Sequence, residues 1–368
     1  MKVLYLVNSL PNGGLERQLT LLAASLPEDW TPRVWSMGGG SFEPCLRERG
    51  VPVIVRERRS RFDVSPAALL WRDVVSWRPD VVHSWGWMPG LAVAPLCRLL
   101  RIPYIDGMIR SGAVEPDFPR LKRLGMALAT LVVANSAAGL RAWGVGPDKG
   151  RVVPNAFDQD RLRNLDAGQD KDPATFTVIM TARMSAAKDF DVVIEAARRL
   201  SGAGQGWRFL LVGHGPDRDR LIRLAADLTE TGVVSFPQPG LEVLRLVRRA
   251  DVGVLMTNAT LVSEGLSNSI MEYMALGLPV VCGRGGGNAE LVQDGATGFV
   301  IPPGDADVLA GRLSALRGDR AAGAAMGALG RERILRVFTV PRMVDGMLSV
   351  YAEGLARVHA PRSSQHST

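Results

Sequence analysis

Short apolar runs alternate with helically spaced stretches along nearly all of the 368 residues, and no other sequence feature constrains the fold as strongly. VLYLV (3–7), PRVWSM (32–37), VPVIV (51–55), DVVHS (80–84), IPYID (102–106), LVVANS (131–136) and RVVPN (151–155) read as strands. Between them lie stretches such as LERQLTLLAASL, where Leu15, Leu19, Leu22 and Leu26 keep helical spacing. The polar stretch 158–174, DQDRLRNLDAGQDKDPA, breaks the pattern and reads as a linker. The alternation then restarts with strands at 175–183, 207–213, 233–238, 251–257, 279–283 and 298–303, and with helices at 189–203, 216–228 and 240–249. Two further helices are expected at about 305–335 and 340–358. This order predicts an α/β protein of two doubly wound, Rossmann-like parallel-sheet domains. The expected boundaries are 1–165, 166–340, and a C-terminal helix and disordered tail over 341–368, with a return of that helix to the first domain as one option. Two such domains imply a cleft between them, with ligands just beyond the carboxyl ends of strands.

Composition sets limits on function. Apolar residues at 46% supply enough material for two cores, and charged residues at 22% argue against disorder. The start, MKVLYLVNSL, runs at once into PNGGLER, so it reads as a first strand and not as a signal peptide. The longest apolar run, Leu124 to Ala134, is too short to cross a bilayer. Cys45, Cys97 and Cys282 show no paired spacing and fit buried thiols in a reducing compartment. Residues 1–165 hold 22 Lys/Arg against 15 Asp/Glu, a net +7, whereas residues 166–368 hold 22 of each. The excess includes Arg56, Arg58, Arg59 and Arg61, and then Arg120, Lys122 and Arg123 just ahead of LGMALATLVVA. Two readings stand: a solvated basic surface, or attraction to an anionic membrane or acceptor, at ~1 kcal/mol per basic residue near such a surface. Nucleic acid is not expected as a partner, because the basic stretches carry few aromatics and no binding motif.

The stretch SEGLSNSIMEYMALGLPVV (263–281) carries the chemistry. Ser267 or Asn268 caps a helix that runs to Ala275, Gly277 ends it, and Pro279 follows. The N–H groups at the helix start attract anions. Glu264 lies in the loop before that start, and Glu272 one turn inside it. Two carboxylates beside a phosphate repel it unless they hold something else, and sugar hydroxyls suit them.

Glu264-x7-Glu272, followed by ALGLPVVCGRGGGNAELVQDGATGFVIPPGD, resembles the retaining, nucleotide-sugar-dependent glycosyltransferases of family 4, which have the GT-B fold. The resemblance covers nearly the whole chain. It implies that Glu272 binds ribose hydroxyls, that Glu264 contacts the donor sugar, and that Gly265, Leu266, Ser267 and Asn268 form the donor-binding turn. ARMSAAK (182–188) is similar to the family's G-R-x-x-x-x-K, which implies that Arg183 and Lys188 hold the pyrophosphate. Cationic charge there matches the need of a departing diphosphate. Ala182 replaces the usual glycine, and Asp189 replaces the glycine after the lysine, which weakens the field around Lys188. VPNAFD resembles a hinge motif in which Asn155 is structural. VGHGPDRDRL resembles the V-G-x-G-P loop, so Gly213 and Gly215 are expected to let backbone approach the nucleotide. Gln238 stands in the loop where the family reads the base. NGGLERQL is similar to the family's first glycine loop, implying that Gly13 and Gly14 approach donor phosphates and acceptor. DVVHSWGWMPG places His83 where the family keeps a histidine beside the donor sugar, with Trp85 and Trp87 lining an acceptor surface or simply packing.

GRGGGN (283–288) lacks the final glycine of a dinucleotide fingerprint and follows a late strand. The triplets Asp189/Asp191, Asp217/Asp219 and Asp305/Asp307 read as acids in helix first turns, so no metal and no cofactor are expected. The resemblance implies a UDP-sugar or other NDP-sugar donor and a lipid-linked or other glycoconjugate acceptor. Retention is expected with the leaving phosphate oxygen taking the acceptor proton. The location is expected to be cytoplasmic, with peripheral contact at the inner membrane face through the basic half as an option. A transferase of small molecules, and a degenerate sugar-nucleotide-binding protein, remain as alternatives.

Overall fold

The structure, a computed structural model, describes residues 1–11, 13–60, 63–163, 165, 172–238, 243–261 and 263–360. Arg61, most of the polar stretch between 164 and 171, and the tail from 361 lie outside the described residues. The chain divides into two compact units. Unit 1 comprises Met1–Arg110, Val114–Ala156 and the chain from Val340 on, and unit 2 comprises Ser111–Ala113 and Phe157–Thr339.

Unit 1 runs β1 (Lys2–Val7), α1 (Gly14–Ala24), β2 (Thr31–Ser36), α2 (Phe42–Glu48), β3 (Val53–Val55), α3 (Ser65–Trp77), β4 (Val81–Ser84), α4 (Trp87–Leu100), β5 (Tyr104–Ile109), α5 (Pro119–Leu128), β6 (Leu131–Ala134), α6 (Ala137–Trp143) and β7 (Gly150–Val152). The strands form one parallel sheet in the order β3-β2-β1-β4-β5-β6-β7. Side chains alternate across it, so Val3, Tyr5 and Val7 enter one core while Leu4 and Leu6 enter the other. The second core packs against α3, α4 and α5 through Leu70, Val74, Val93 and Met126.

Unit 2 runs β8 (Phe176–Thr181), α7 (Phe190–Ala203), β9 (Trp207–Val212), α8 (Arg218–Leu224), α9 (Ala226–Glu230), β10 (Val234–Ser235), α10 (Val243–Arg248), β11 (Val252–Leu255), α11 (Asn268–Ala275), β12 (Val280–Gly283), α12 (Asn288–Leu291), β13 (Gly298–Ile301), α13 (Ala306–Gly318) and α14 (Arg320–Val337). Its parallel sheet has the order β10-β9-β8-β11-β12-β13. The chain ends in α15 (Val340–His359), which belongs to unit 1, where Met343, Val344, Met347, Val350 and Tyr351 fill the core under α1.

Both sheets are doubly wound, as the alternation predicts. Several element bounds differ. The helix expected at 305–335 is two helices, because the Asp319 carboxylate accepts the Ala322 N–H at 2.8 Å and starts α14 afresh. The helix expected at 216–228 is α8 and α9, broken at Ala225. The structure divides the chain after Ala156, and Gln159–Leu162 form a short 3-10 turn within unit 2.

Candidate active site

Three loops meet at the carboxyl end of the unit 2 sheet because the strands they follow are neighbours. The loop after β8 lies between those after β9 and β11. On one side, Ala182 N–H donates to Val212 O (3.1 Å) and Met184 N–H to His214 O (2.8 Å). On the other, Asp189 N–H donates to Met256 O (3.1 Å) and Asn258 N–H to Ala187 O (3.1 Å). A Cβ at Gly213 would stand 1.9 Å from Ala182 O, and one at Gly215, where φ is +156°, would stand 2.0 Å from Met184 O. Both glycines therefore admit the close approach of the Arg183 loop. The backbone that these two glycines touch is the protein's own. His214 between them is exposed.

This clamp presents the two cations differently. Arg183 is exposed and has no ion pair among the described residues, while Met184 beside it is buried and anchors the loop. Lys188 reaches across to Glu264, and its ammonium donates to Glu264 Oε1. Thr257 Oγ1–H donates to the same oxygen at 2.9 Å. Asp189 is half-buried, and desolvation, with Asp191 next to it, raises its carboxyl above the usual range.

The backbone of Glu264 is held as firmly as its side chain. Its carbonyl accepts the Gly287 N–H at 2.8 Å, and Gly286, with φ +54°, packs so closely that a Cβ there would lie 1.8 Å from that oxygen. GRGGGN is thus the seat on which Glu264 rests, a role that the comparison with a dinucleotide fingerprint does not supply. Gly265, Leu266 and Ser267 are buried behind it. Ser267 Oγ accepts the Ile270 N–H at 3.5 Å and caps α11, of which Asn268 is the first residue. α11 is tied to the end of β8: Thr181 N–H donates to Tyr273 Oη at 2.6 Å, and Ser269 Oγ–H donates to Thr181 O at 2.6 Å.

Glu272 lies one turn inside α11. It is only 5% exposed, and it accepts a hydrogen bond from Arg161 at 2.7 Å. Arg161 comes from the stretch read as linker, which is why the sequence did not point to it. Gln238 is exposed just after β10.

In unit 1, Gly13 precedes α1 with extended backbone, and Gly14 opens the helix. A Cβ at Gly13 would lie 2.3 Å from the Glu16 carboxylate, so an acid already occupies this helix start. Burial raises that carboxyl above its usual range.

His83 lies inside β4, in the strand its sequence predicts, and its ring is fully buried. Its Nδ1 is 2.8 Å from Tyr351 Oη and 3.4 Å from Trp85 Nε1. An indole only donates, so Nδ1 accepts and the ring proton sits on Nε2. That nitrogen has no partner and faces Gly107, where a Cβ would stand 2.4 Å away. Burial, then the charge of Arg110, depresses the imidazole well below its ordinary value, so it is neutral. Trp85 is buried beneath the Arg110 guanidinium at 3.8 Å, and Trp87 stacks on Phe118 at 5.3 Å. In this arrangement His83 belongs to the core of unit 1.

The acidic triplets serve as pairs and caps. Asp191 holds Arg220 at 2.7 Å, Asp307 pairs with Arg199, and Asp305 caps α13 by accepting the Val308 N–H at 2.9 Å. Among the described residues no three His, Cys, Asp or Glu side chains gather as a metal site.

Two doubly wound units, the second with acids, cations and a capped helix at the carboxyl end of its sheet, define a GT-B protein. The fold matches the crystal structure of Anabaena Alr3699/HepE in complex with UDP, with a TM-score of 0.83, 22% identity, and coverage of 96% of this chain and 100% of that one. Residues 12–161 match the model of Glycosyltransferase Family 4, and residues 175–319 that of Glycosyl transferases group 1. The D-inositol 3-phosphate glycosyltransferase of Nocardia farcinica is 30% identical over 316 residues, covering 77% of this chain and 68% of that protein. The putative colanic acid biosynthesis glycosyltransferase WcaL of Salmonella typhimurium is 32% identical over 204 residues, or 54% of this chain. The chain spans about half the length of such curated relatives, 49% in that case. The chain belongs to glycosyltransferase family 4.

Proposed function

We propose that the protein is a retaining glycosyltransferase that moves a hexosyl or N-acetylhexosaminyl unit from a UDP-sugar to a hydroxyl of a lipid-linked or other glycoconjugate acceptor. The observation that carries this reading is the placement of unpaired Arg183 beside the Lys188–Glu264 pair and the capped start of α11. The HepE structures with UDP and with UDP-glucose, and the relatives named for colanic acid and lipopolysaccharide core biosynthesis, support the donor and acceptor classes.

In this reading Arg183 and the α11 amides receive the diphosphate. Lys188 turns its ammonium toward the diphosphate as the sugar takes Glu264 for a hydroxyl partner, so the pair keeps the pocket charge balanced until the donor arrives. Glu272, held by Arg161, takes ribose hydroxyls. The anomeric carbon–oxygen bond to the diphosphate breaks, and the acceptor oxygen bonds to the same face. Its proton passes to the departing phosphate oxygen. Negative charge develops on that oxygen as the bond breaks, and cations facing it lower the barrier. The charge comes from the chain, so the reaction proceeds without metal.

The test is release of UDP from a panel of UDP-glucose, UDP-galactose and UDP-N-acetylglucosamine, with GDP-mannose as counter-donor, in the presence and absence of EDTA. Release from a UDP-sugar, unchanged by EDTA, is expected. UDP binding without turnover across acceptors would instead establish a binding protein, and loss of release with EDTA would overturn the metal-free mechanism.

A further inference from the structure

Thirteen large apolar side chains are exposed among the described residues, and eight of them lie on, or one residue before, α3, α4 and α5. These three helices form one layer over the second core of unit 1. Scattered exposed leucines need no explanation, but concentration on one layer does. On α5, Leu121, Leu124 and Leu128 are 40%, 47% and 36% exposed. Their spacing puts them on one face, away from buried Lys122, Gly125 and Met126. Phe118, 57% exposed, starts the same stripe. It is held at φ 52°, a left-handed conformation that a bulky residue adopts only where its neighbours impose it. α3 and α4 add Trp71, Val75 and Leu99.

Charge tells what covers this face. The helices α3, α4 and α5 carry Arg72, Arg98, Arg120, Lys122 and Arg123 against a single acid, Asp73. Lys122 is buried against Glu115 (2.6 Å), and Asp73 is turned inward to Trp35 Nε1 (3.3 Å). The exposed charge of the three helices is therefore arginine, with Asp117 exposed just ahead of Phe118 and Glu115 neutralised by Lys122. Arg120 and Arg123 flank the leucine stripe and lie on the exposed side of α5. A helix that presents arginines beside leucines in one plane fits the headgroup level of a bilayer: the apolar side chains dip past the phosphates and the guanidiniums stay with them. No helix among the described residues is long and apolar enough to cross a membrane.

We propose that the outer face of the α3–α4–α5 layer is a docking surface for an anionic lipid bilayer. The assignment rests on the reading of the acceptor as lipid-linked and gives that reading a surface. α4, of 14 residues, is about 21 Å long at 1.5 Å per residue, so the layer offers a face wide enough to lie flat on a membrane.

The experiment is co-sedimentation of the full chain with vesicles of phosphatidylcholine alone, or with about one third phosphatidylglycerol, at about 0.05 M and about 0.5 M salt. Binding is expected only to the anionic vesicles, and to weaken with salt. Leu121→Glu/Leu124→Glu and Arg120→Glu/Arg123→Glu should each weaken partitioning by about tenfold or more. Leu329→Glu, an equally exposed leucine of unit 2, should leave it unchanged. All of these positions are exposed, and circular dichroism verifies that each variant folds. Equal binding to both vesicle types, or wild-type binding by both double variants, overturns the proposal. So does a concentration-dependent dimer that the leucine pair abolishes without any vesicle binding, which would assign the face to a second copy. UDP-glucose binding measured by calorimetry without lipid keeps the two readings apart: its absence beside intact vesicle binding removes the donor site and leaves the docking surface.

Discussion

Lys188 and Glu264 hold each other across the carboxyl ends of β8 and β11, two strands adjacent in the unit 2 sheet. Each side chain needs the other while no donor is bound. A half-buried ammonium or carboxylate left alone costs desolvation energy without recovering it in an ion pair. The pair also fixes both loops, since Thr257 joins it and Gly286–Gly287 hold the glutamate from behind.

The two residues should therefore act as a unit. Lys188→Ala and Glu264→Gln are each expected to lower kcat/KM by roughly a hundredfold, since each removes a donor contact and releases its partner into the pocket. The double variant should fall within about tenfold of the worse single variant and not at the product of the two. Steady-state kinetics on the four proteins checks this, and multiplicative losses would mean that the two side chains act separately.

Arg183 is the contrasting case, because it is exposed and pairs with no acid among the described residues. Arg183→Ala should leave folding stability within about 0.5 kcal/mol of wild type. Turnover should drop by about 10²–10³, the usual range for removing one charge-stabilising donor. UDP affinity should change far less than kcat. An unchanged kcat would take Arg183 out of the site.

Glu272 and Arg161 make a prediction that joins binding to stability. The acid is almost wholly buried, whereas Arg161 keeps 28% of its side chain exposed. Glu272→Ala strands a guanidinium that water still reaches, so the expected loss is about 1–3 kcal/mol and not the larger cost of a sealed charge. UDP binding should weaken together with the melting temperature. Glu272→Gln keeps an acceptor for Arg161 and should recover most of the stability but not the donor affinity, which calorimetry can separate.

The architecture and the capped helix start between the two glutamates were readable in the sequence for a common reason: alternation and spacing are local. The strands around Val3, Val81, Phe176 and Val280 lie where apolar runs put them, and Ser267 caps α11 as its residue type predicts. The partners were not readable, because they are set by strand order. Nothing in Arg161 or Thr257 marks them as neighbours of Glu272 and Glu264. Gly213 and Gly215 were legible as glycines needing a close approach, but the backbone they meet is identified only when β9 is seen beside β8. His83 was legible as a strand residue, but its buried contact was not, because Tyr351, its partner, is 268 residues away.

The glycine contacts can be tested directly. Gly213→Ala forces a methyl toward Ala182 O and should cost about 1–3 kcal/mol of unit 2 stability. It should also lower turnover by displacing the Arg183 loop. Gly202→Ala, in α7 with nothing within 4 Å of the added methyl, should be neutral or stabilise by up to about 1 kcal/mol. Urea unfolding followed by Trp207 emission, isolated by replacing the other tryptophans, distinguishes the two.

The buried core of unit 1 carries two groups whose titrations oppose each other. His83 is depressed well below 6.5 by burial and by Arg110. As pH falls through 6.5 the unfolded chain takes a proton that the native ring refuses, so this group removes stability on acidification, at up to about 1.4 kcal/mol per pH unit. Asp106 is raised from 3.8 to about 6 by burial, although Met108 N–H and Tyr104 Oη–H each donate to it at 3.1 Å. Between those values the native state holds a proton that the unfolded chain has lost, so this group adds stability as pH falls from about 6 toward 4, on the order of 3 kcal/mol in all. In the wild type the two slopes largely cancel over that range. Asp106→Asn should expose the histidine slope, with unit 1 losing stability steadily below pH 6.5. His83→Gln should expose the carboxyl slope, with stability rising as pH falls below 6. Seven of the eight tryptophans lie in unit 1, so urea titrations read by total tryptophan emission between pH 7 and pH 4 report on this unit. Parallel pH profiles for the two variants would show that neither group is buried as described.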